Sequence, residues 1–202
     1  MFVALLIAPV SPAKADYAQM TLFQLLTRAE IVVSGTVQEV SDDTYELDVV
    51  QAFRNAGSQD ILTVERVDLL RLGDRWADYA RGQQVVLFAQ VSDTESATVA
   101  PLGAAGEGEL PVVAQMVHPT ALSRPPADMT RATYLGGSRA YYRVEADTFQ
   151  DAIAGFFDCY RPTDRGRIAR LCDDLALQDY RQLSWLAAHI SGIADRLPEG
   201  EN

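Results

Sequence analysis

The stretch Glu30-Ile31-Val32-Val33-Ser34-Gly35-Thr36-Val37-Gln38 decides the fold. Ile31, Val33 and Val37 alternate with Ser34, Thr36 and Gln38. That period of two belongs to a strand with one buried face. Gly35 interrupts the inward row, and a glycine inside a strand marks a bulge or a sharp bend. Downstream, Tyr45, Leu47 and Val49 alternate with Thr44, Glu46 and Asp48, and Ser41-Asp42-Asp43 supplies the hairpin turn between the two runs. After Asn55-Ala56-Gly57-Ser58 a third strand runs Ile61 to Val67, with Leu62 and Val64 opposite Thr63 and Glu65.

Alternation stops between Asp68 and Arg81, which contains Trp76 and Tyr79 and is expected to hold a helical turn or two before Gly82. Val85-Val86-Leu87-Phe88 is apolar on both faces, so the fourth strand should be covered on both sides. A weaker fifth strand spans Ala97 to Leu102. Three strands, a helical connection and two more strands is the order of the OB barrel, a small closed sheet whose first strand bends. The expected class is therefore a β-barrel with helices (α+β): a five-stranded OB-type barrel with a short N-terminal helix and C-terminal helices.

Upstream, Thr21 caps a helix that ends near Arg28. Gln24 completes a capping box, and Met20 can staple onto Leu25. Residues 1–15 read as a signal peptide: an apolar run from Met1 to Ile7, then Ala13-Lys14-Ala15 ahead of Asp16. No basic residue precedes the run, which a start assigned too late would explain; a short buried N-terminal strand is the alternative. The barrel with its N-terminal helix is assigned to 16–103.

Residues 104–202 form an extension of a hairpin and three helices packed on the barrel. Leu110 to Val117 reads as one strand, and His118 to Thr130 as a proline-rich irregular segment. Leu135-Gly136-Gly137-Ser138 reads as a turn before Tyr141-Tyr142-Arg143-Val144. Thr148 with Asp151 caps a helix whose stripe is Phe149, Ile153, Phe156 and Tyr160. Further stripes follow at Ile168, Leu171, Cys172 and Leu175, and at Tyr180, Leu183, Leu186, Ala187 and Ile190.

Composition bounds the function. The 202 residues are 48% hydrophobic and 22% charged, enough for a real core, and the net charge is −11. The only lysine is Lys14, so the mature chain carries none. That removes Schiff-base chemistry and a P-loop. An acidic chain approaches phosphate backbones only through a segregated basic face. The cluster Arg161, Arg165, Arg167 and Arg170 is surrounded by Asp158, Asp164, Asp173 and Asp174, so no nucleic-acid partner is expected. No segment reaches the ~18 apolar residues that span a bilayer, so the mature chain is expected not to cross one.

Cys159 and Cys172 are the only cysteines, and an even count in an exported chain favours a disulfide; two buried thiols are the alternative. A continuous helix through 161–176 would hold the two too far apart. Pro162 and Gly166 point instead to an irregular loop and a later helix start.

Ala29 to Val37, taken with Tyr79 and Gly82-Gln83-Gln84-Val85-Val86-Leu87-Phe88, resembles exported NTR-type OB proteins. These are similar to the inhibitory domain of tissue inhibitors of metalloproteinases. The likeness covers about residues 20–103. That family inhibits through an N-terminal cysteine that chelates the protease zinc. The mature start expected here is Asp16-Tyr17-Ala18 and the barrel has no cysteine, so neither that chemistry nor the family's disulfides carry over.

Candidate sites are few. His118 and His189 could share a zinc, or be a loop and a helix-surface histidine. Glu107 and Glu109 would point the same way on extended chain and could hold Ca²⁺, or lie in a solvated turn without EF-hand spacing. Ser184 and His189 fall on different helix faces, Asp173 and Asp174 stand ~100° apart on a helix, and there is no Gly-x-Ser-x-Gly elbow. No catalytic residue, metal or cofactor is expected. Trp76, Tyr79, Tyr134, Tyr141 and Tyr142 could form a binding face or core packing. Tyr141-Tyr142 should show one ring to each side. The expected function is an exported, secreted or periplasmic, non-enzymatic binding module for a protein or an extended extracellular ligand. The alternative is a loop-based inhibitor of an extracytoplasmic protease.

Overall fold

The computed structural model describes residues 18–57, 59–67, 75–92, 98–103, 106–135, 139–163 and 168–196. The expected signal peptide at 1–15, the 68–74 part of the helical connection, Ala97, the turn at Gly136-Gly137-Ser138 and Gly166 lie outside them.

Helix α1 (Leu22–Arg28) precedes strands β1 (Ile31–Val40), β2 (Thr44–Arg54) and β3 (Ile61–Glu65), then β4 (Gln84–Val91) and β5 (Thr98–Pro101). These five strands close on themselves in the order β1-β2-β3-β5-β4-β1. All neighbours are antiparallel except β3 and β5, which pair in parallel through Thr63↔Thr98 and Val64↔Val99. The OB-type barrel expected from the strand order is the fold. Its interior holds Val33, Val37, Tyr45, Leu47, Leu62, Val64, Val85 and Leu87. Val32, Val86 and Phe88 face outward into a second core shared with the helices. The continuous apolar run of β4 thus has a partner on each face, and fully burying each such side chain is worth about 1.5–3 kcal/mol.

Gly35 is where β1 bends. The β1–β2 register slips between Ser34 and Gly35, and a Cβ at Gly35 would collide with the Asp48 carbonyl and stand 2.8 Å from Leu47 Cγ. The capping box on α1 is present: Gln24 N donates to Thr21 Oγ1 at 3.3 Å and Thr21 N donates to Gln24 Oε1 at 2.8 Å.

Strands β6 (Glu109–Val113), β7 (Met116–Val117) and β8 (Val144–Glu145) extend the sheet from β4. Strands β5 and β6 lie end to end along one edge of β4. At the junction Phe88 N donates to Gly108 O, Gly108 N to Leu102 O and Leu102 N to Phe88 O, at 2.7–2.9 Å. A Cβ at Gly108 would strike this backbone knot. The single strand expected over Leu110–Val117 is instead a hairpin. It turns at Ala114 (φ 51°) and Gln115 (φ 60°), the left-handed pair of a tight primed turn.

Helix α2 (Ala146–Cys159) starts two residues before the expected Thr148 cap. Its first N–H, on Ala146, donates to the Gln115 carbonyl of that turn at 2.9 Å, and no side chain caps the helix. Strands β9 (Tyr160–Pro162) and β10 (Ile168–Arg170) form a hairpin where the stripe at Ile168 to Leu175 suggested helix. Leu171 and Leu175 are exposed accordingly. The hairpin brings Cys159 and Cys172 to a Cα separation of 4.6 Å, and they are disulfide-bonded. Helices α3 (Asp174–Leu183) and α4 (Trp185–Ala194) split the last stripe at Ser184, whose side chain accepts from Ala187 N. Residues 75–83 contain no helical turn. No helix among the described residues is long and apolar enough to cross a membrane.

Candidate functional site

Two places on the molecule gather polar and aromatic side chains. The first closes one end of the barrel. Arg75 forms an ion pair with Glu109 in which both side chains are almost wholly buried, and Arg75 Nε donates to Glu109 Oε1 at 2.9 Å. Tyr79 donates its hydroxyl proton to Glu109 Oε2 at 3.2 Å and accepts from Val67 N at 3.1 Å. The Arg75 guanidinium lies 3.8 Å from the Tyr79 ring centre and 4.5 Å from that of Trp76, and the Tyr45 ring packs 5.1 Å from Tyr79. Burial first, and the Glu109 charge second, push both the Tyr45 and the Tyr79 phenols above their ordinary value. Both stay protonated at neutral pH.

Behind this cluster is a cavity of about 10 Å³ between Arg75, Trp76, Glu109, Thr120 and Tyr141. Trp76 Nε1 and Thr120 Oγ1 are buried without a hydrogen-bond partner. The cavity is about the size of one water molecule, too small for an organic ligand. Both Glu109 oxygens are engaged and its charge is cancelled by Arg75. The arrangement fastens residues 75–79 onto the barrel.

The second place is a groove of about 510 Å³ outside the barrel. Pro126, Met129 and Tyr134, all from the long irregular segment after β7, line it together with Trp185 at the start of α4. Asp128, Thr130 and Arg143 supply its polar groups. Tyr134 is 41% and Trp185 37% exposed. The Arg143 guanidinium stands 5.0 Å from the Tyr134 ring centre. A histidine backs each ring: His118 lies 6.0 Å from Tyr134, and His189 6.4 Å from Trp185. Burial lowers the pKa of both, so both are neutral at pH 7.

Among the residues singled out from sequence, Glu109 and Tyr141 come together in the buried cluster. Glu107 is also buried, folded against Gly103, so this pair does not lie in a solvated turn. Tyr141 and Tyr142 lie in irregular chain with a single bridge, Ala132↔Tyr141, rather than in a strand. Tyr141 is buried, while Tyr142 is half-buried with Arg131 over its ring at 5.9 Å. Ser184 serves as the cap of α4, and no three His, Cys, Asp or Glu side chains among the described residues converge as metal ligands. Sequence reasoning passed over Arg75, Met129, Arg143 and Trp185. Trp185 had one usable signal: it falls off the Leu183-Leu186-Ile190 stripe, where an aromatic faces solvent.

Comparison of the chain with models of known protein families and with curated proteins finds no match.

Proposed function

We propose that this chain is an exported, non-catalytic binding module whose ligand lies in the groove between the 126–134 segment and the start of α4. The observation that carries the reading is that Tyr134 and Trp185, both exposed, line one groove of about 510 Å³. Its volume is in the range of small-ligand sites, roughly 300–1,000 Å³. Tyr, Trp, Met and Arg are the residue types enriched at the buried centres of protein interfaces, and all four line it. The groove sits on a loop held by a rigid scaffold, a common placement for binding residues. The Cys159–Cys172 bridge supports export, since structural disulfides persist in oxidising compartments. The resemblance to NTR-type barrels fits an extracytoplasmic binding role, without the family's N-terminal zinc chelation.

The test uses Trp185 as its own reporter. The chain has two tryptophans, so Trp76→Phe leaves Trp185 as the sole indole. Short peptides and oligosaccharides of positive, neutral and negative charge are titrated into this variant. A saturable change in indole emission with at least one probe, lost on adding Tyr134→Ala, is the expected result. No saturable change with any probe, or one that survives Tyr134→Ala, contradicts the proposal.

A further inference from the structure

Resting on that reading of the groove, we infer that its occupant is an acidic segment of a partner polypeptide, in which carboxylates stand beside apolar residues. Charge is unevenly distributed along the chain. The chain as a whole carries −11, yet residues 119–143 hold Arg124, Arg131, Arg139 and Arg143 against the single acid Asp128, a local net of +3. This is the segment that builds most of the groove. None of the ion pairs among the described residues engages Arg124, Arg131 or Arg143, and all three are exposed. Arg131 does fasten the segment, donating to Thr120 O at 3.1 Å. Arg143 is the cation and Asp128 the acid among the groove's lining residues, and the Arg143 guanidinium stands 5.0 Å from the Tyr134 ring centre.

A guanidinium presents a planar fork of donors that a carboxylate matches with two parallel bonds. Pro126, Met129 and Trp185 beside it offer apolar surface, so the matching ligand carries an apolar group next to its carboxylate. Charge also separates the ligand classes. A nucleic-acid strand carries a charge on every residue and calls for a basic track that an acidic chain does not offer it. An acidic segment of a polypeptide needs to set only one carboxylate at Arg143.

The test again reads Trp185 emission in the Trp76→Phe variant. The probes are the acetylated, amidated hexapeptide Pro-Glu-Leu-Pro-Glu-Phe, the same peptide with both Glu replaced by Gln, the same with both replaced by Lys, and a six-nucleotide oligothymidylate. A charge-assisted bond to Arg143 predicts that the Glu peptide binds about tenfold tighter than the Gln peptide at low salt, with the Lys peptide weakest. Arg143→Gln should erase that preference, and Arg143→Lys should keep only part of it. Unchanged circular dichroism confirms that these surface variants fold. Equal binding of the Glu and Gln peptides overturns the acidic-segment inference while leaving the groove as a binding site. So does a preference that survives Arg143→Gln. Tighter binding of the oligothymidylate than of the Glu peptide overturns it in favour of a nucleic-acid strand. If none of the four perturbs Trp185 while another peptide or saccharide does, the inference falls alone; if nothing does, the reading of the groove falls with it.

Discussion

Glu109 shows how a single carboxylate can fasten an irregular segment to a barrel. Its side chain is paired with Arg75 and accepts from Tyr79, both beyond a break in the strand pattern. Removing one member of a buried pair leaves the other charge desolvated and unpaired, at a cost of about 3–5 kcal/mol. Glu109→Ala is therefore expected to lower the urea midpoint sharply. The double variant Arg75→Met with Glu109→Leu should recover most of that loss, because no orphan charge remains. Equal loss in the single and double variants would contradict the account. Glu109 and Tyr141 were legible as polar candidates in the sequence. The partner of Glu109 was not, since Arg75 lies 34 residues from it in a stretch without periodicity. Glu107 and Glu109 were read as one pair on extended chain, but Glu107 lies in a turn and Glu109 begins β6, so the two go to different neighbours.

At the scale of elements, the parts with strong local signals were the readable ones. The period of two placed β1 to β3, a run apolar on both faces placed β4, Gly35 marked the bend, and Thr21 with Gln24 marked the start of α1. What was missed had no local signal. The β6–β7 turn uses Ala114 and Gln115 where glycine or asparagine would be the cue, so the neighbouring pairing imposes the left-handed backbone. The start of α2 takes its backbone partner from that same turn, which no capping motif could reveal. Gly35→Ala should destabilise the barrel by about 2 kcal/mol or more, because the methyl meets backbone rather than a movable side chain. A chemical-denaturation curve indistinguishable from the parent would count against the tight β1–β2 crossing. The disulfide spans 13 residues, and reducing it should lower stability by about 3 kcal/mol through loop-closure entropy. Thermal melts with and without reductant read this directly. A Cys159→Ser, Cys172→Ser double variant should melt like the reduced parent.

The whole molecule is two cores sharing two strands: the barrel interior, and the layer in which α1 to α4 cover Val32, Val86 and Phe88. That arrangement sets the pH dependence. His118 and His189 are held below the usual 6.5, chiefly by burial. Below pH 6.5 the unfolded chain takes up protons that the folded chain resists, so stability present above that value is lost as the pH falls. Tyr160 is pushed up to about 12 by burial and by its bond to Asp195. Above pH 10 the unfolded chain releases a proton that the folded chain keeps, so stability declines again between 10 and about 12. A melting temperature flat near pH 7–9 and falling on both sides is expected, with a shallower acid limb in His189→Gln. The core was legible from hydropathy alone; the groove was not, because it is formed by an irregular segment meeting the first residue of a helix. The central claim is that the ligand lies in this groove rather than on the barrel, and amide hydrogen exchange with and without the Glu hexapeptide tests it most directly. Added protection confined to 126–134, 143–144 and 184–188 is the predicted result. Protection appearing on β2, β3 or residues 75–83, with the groove segments unchanged, would contradict it.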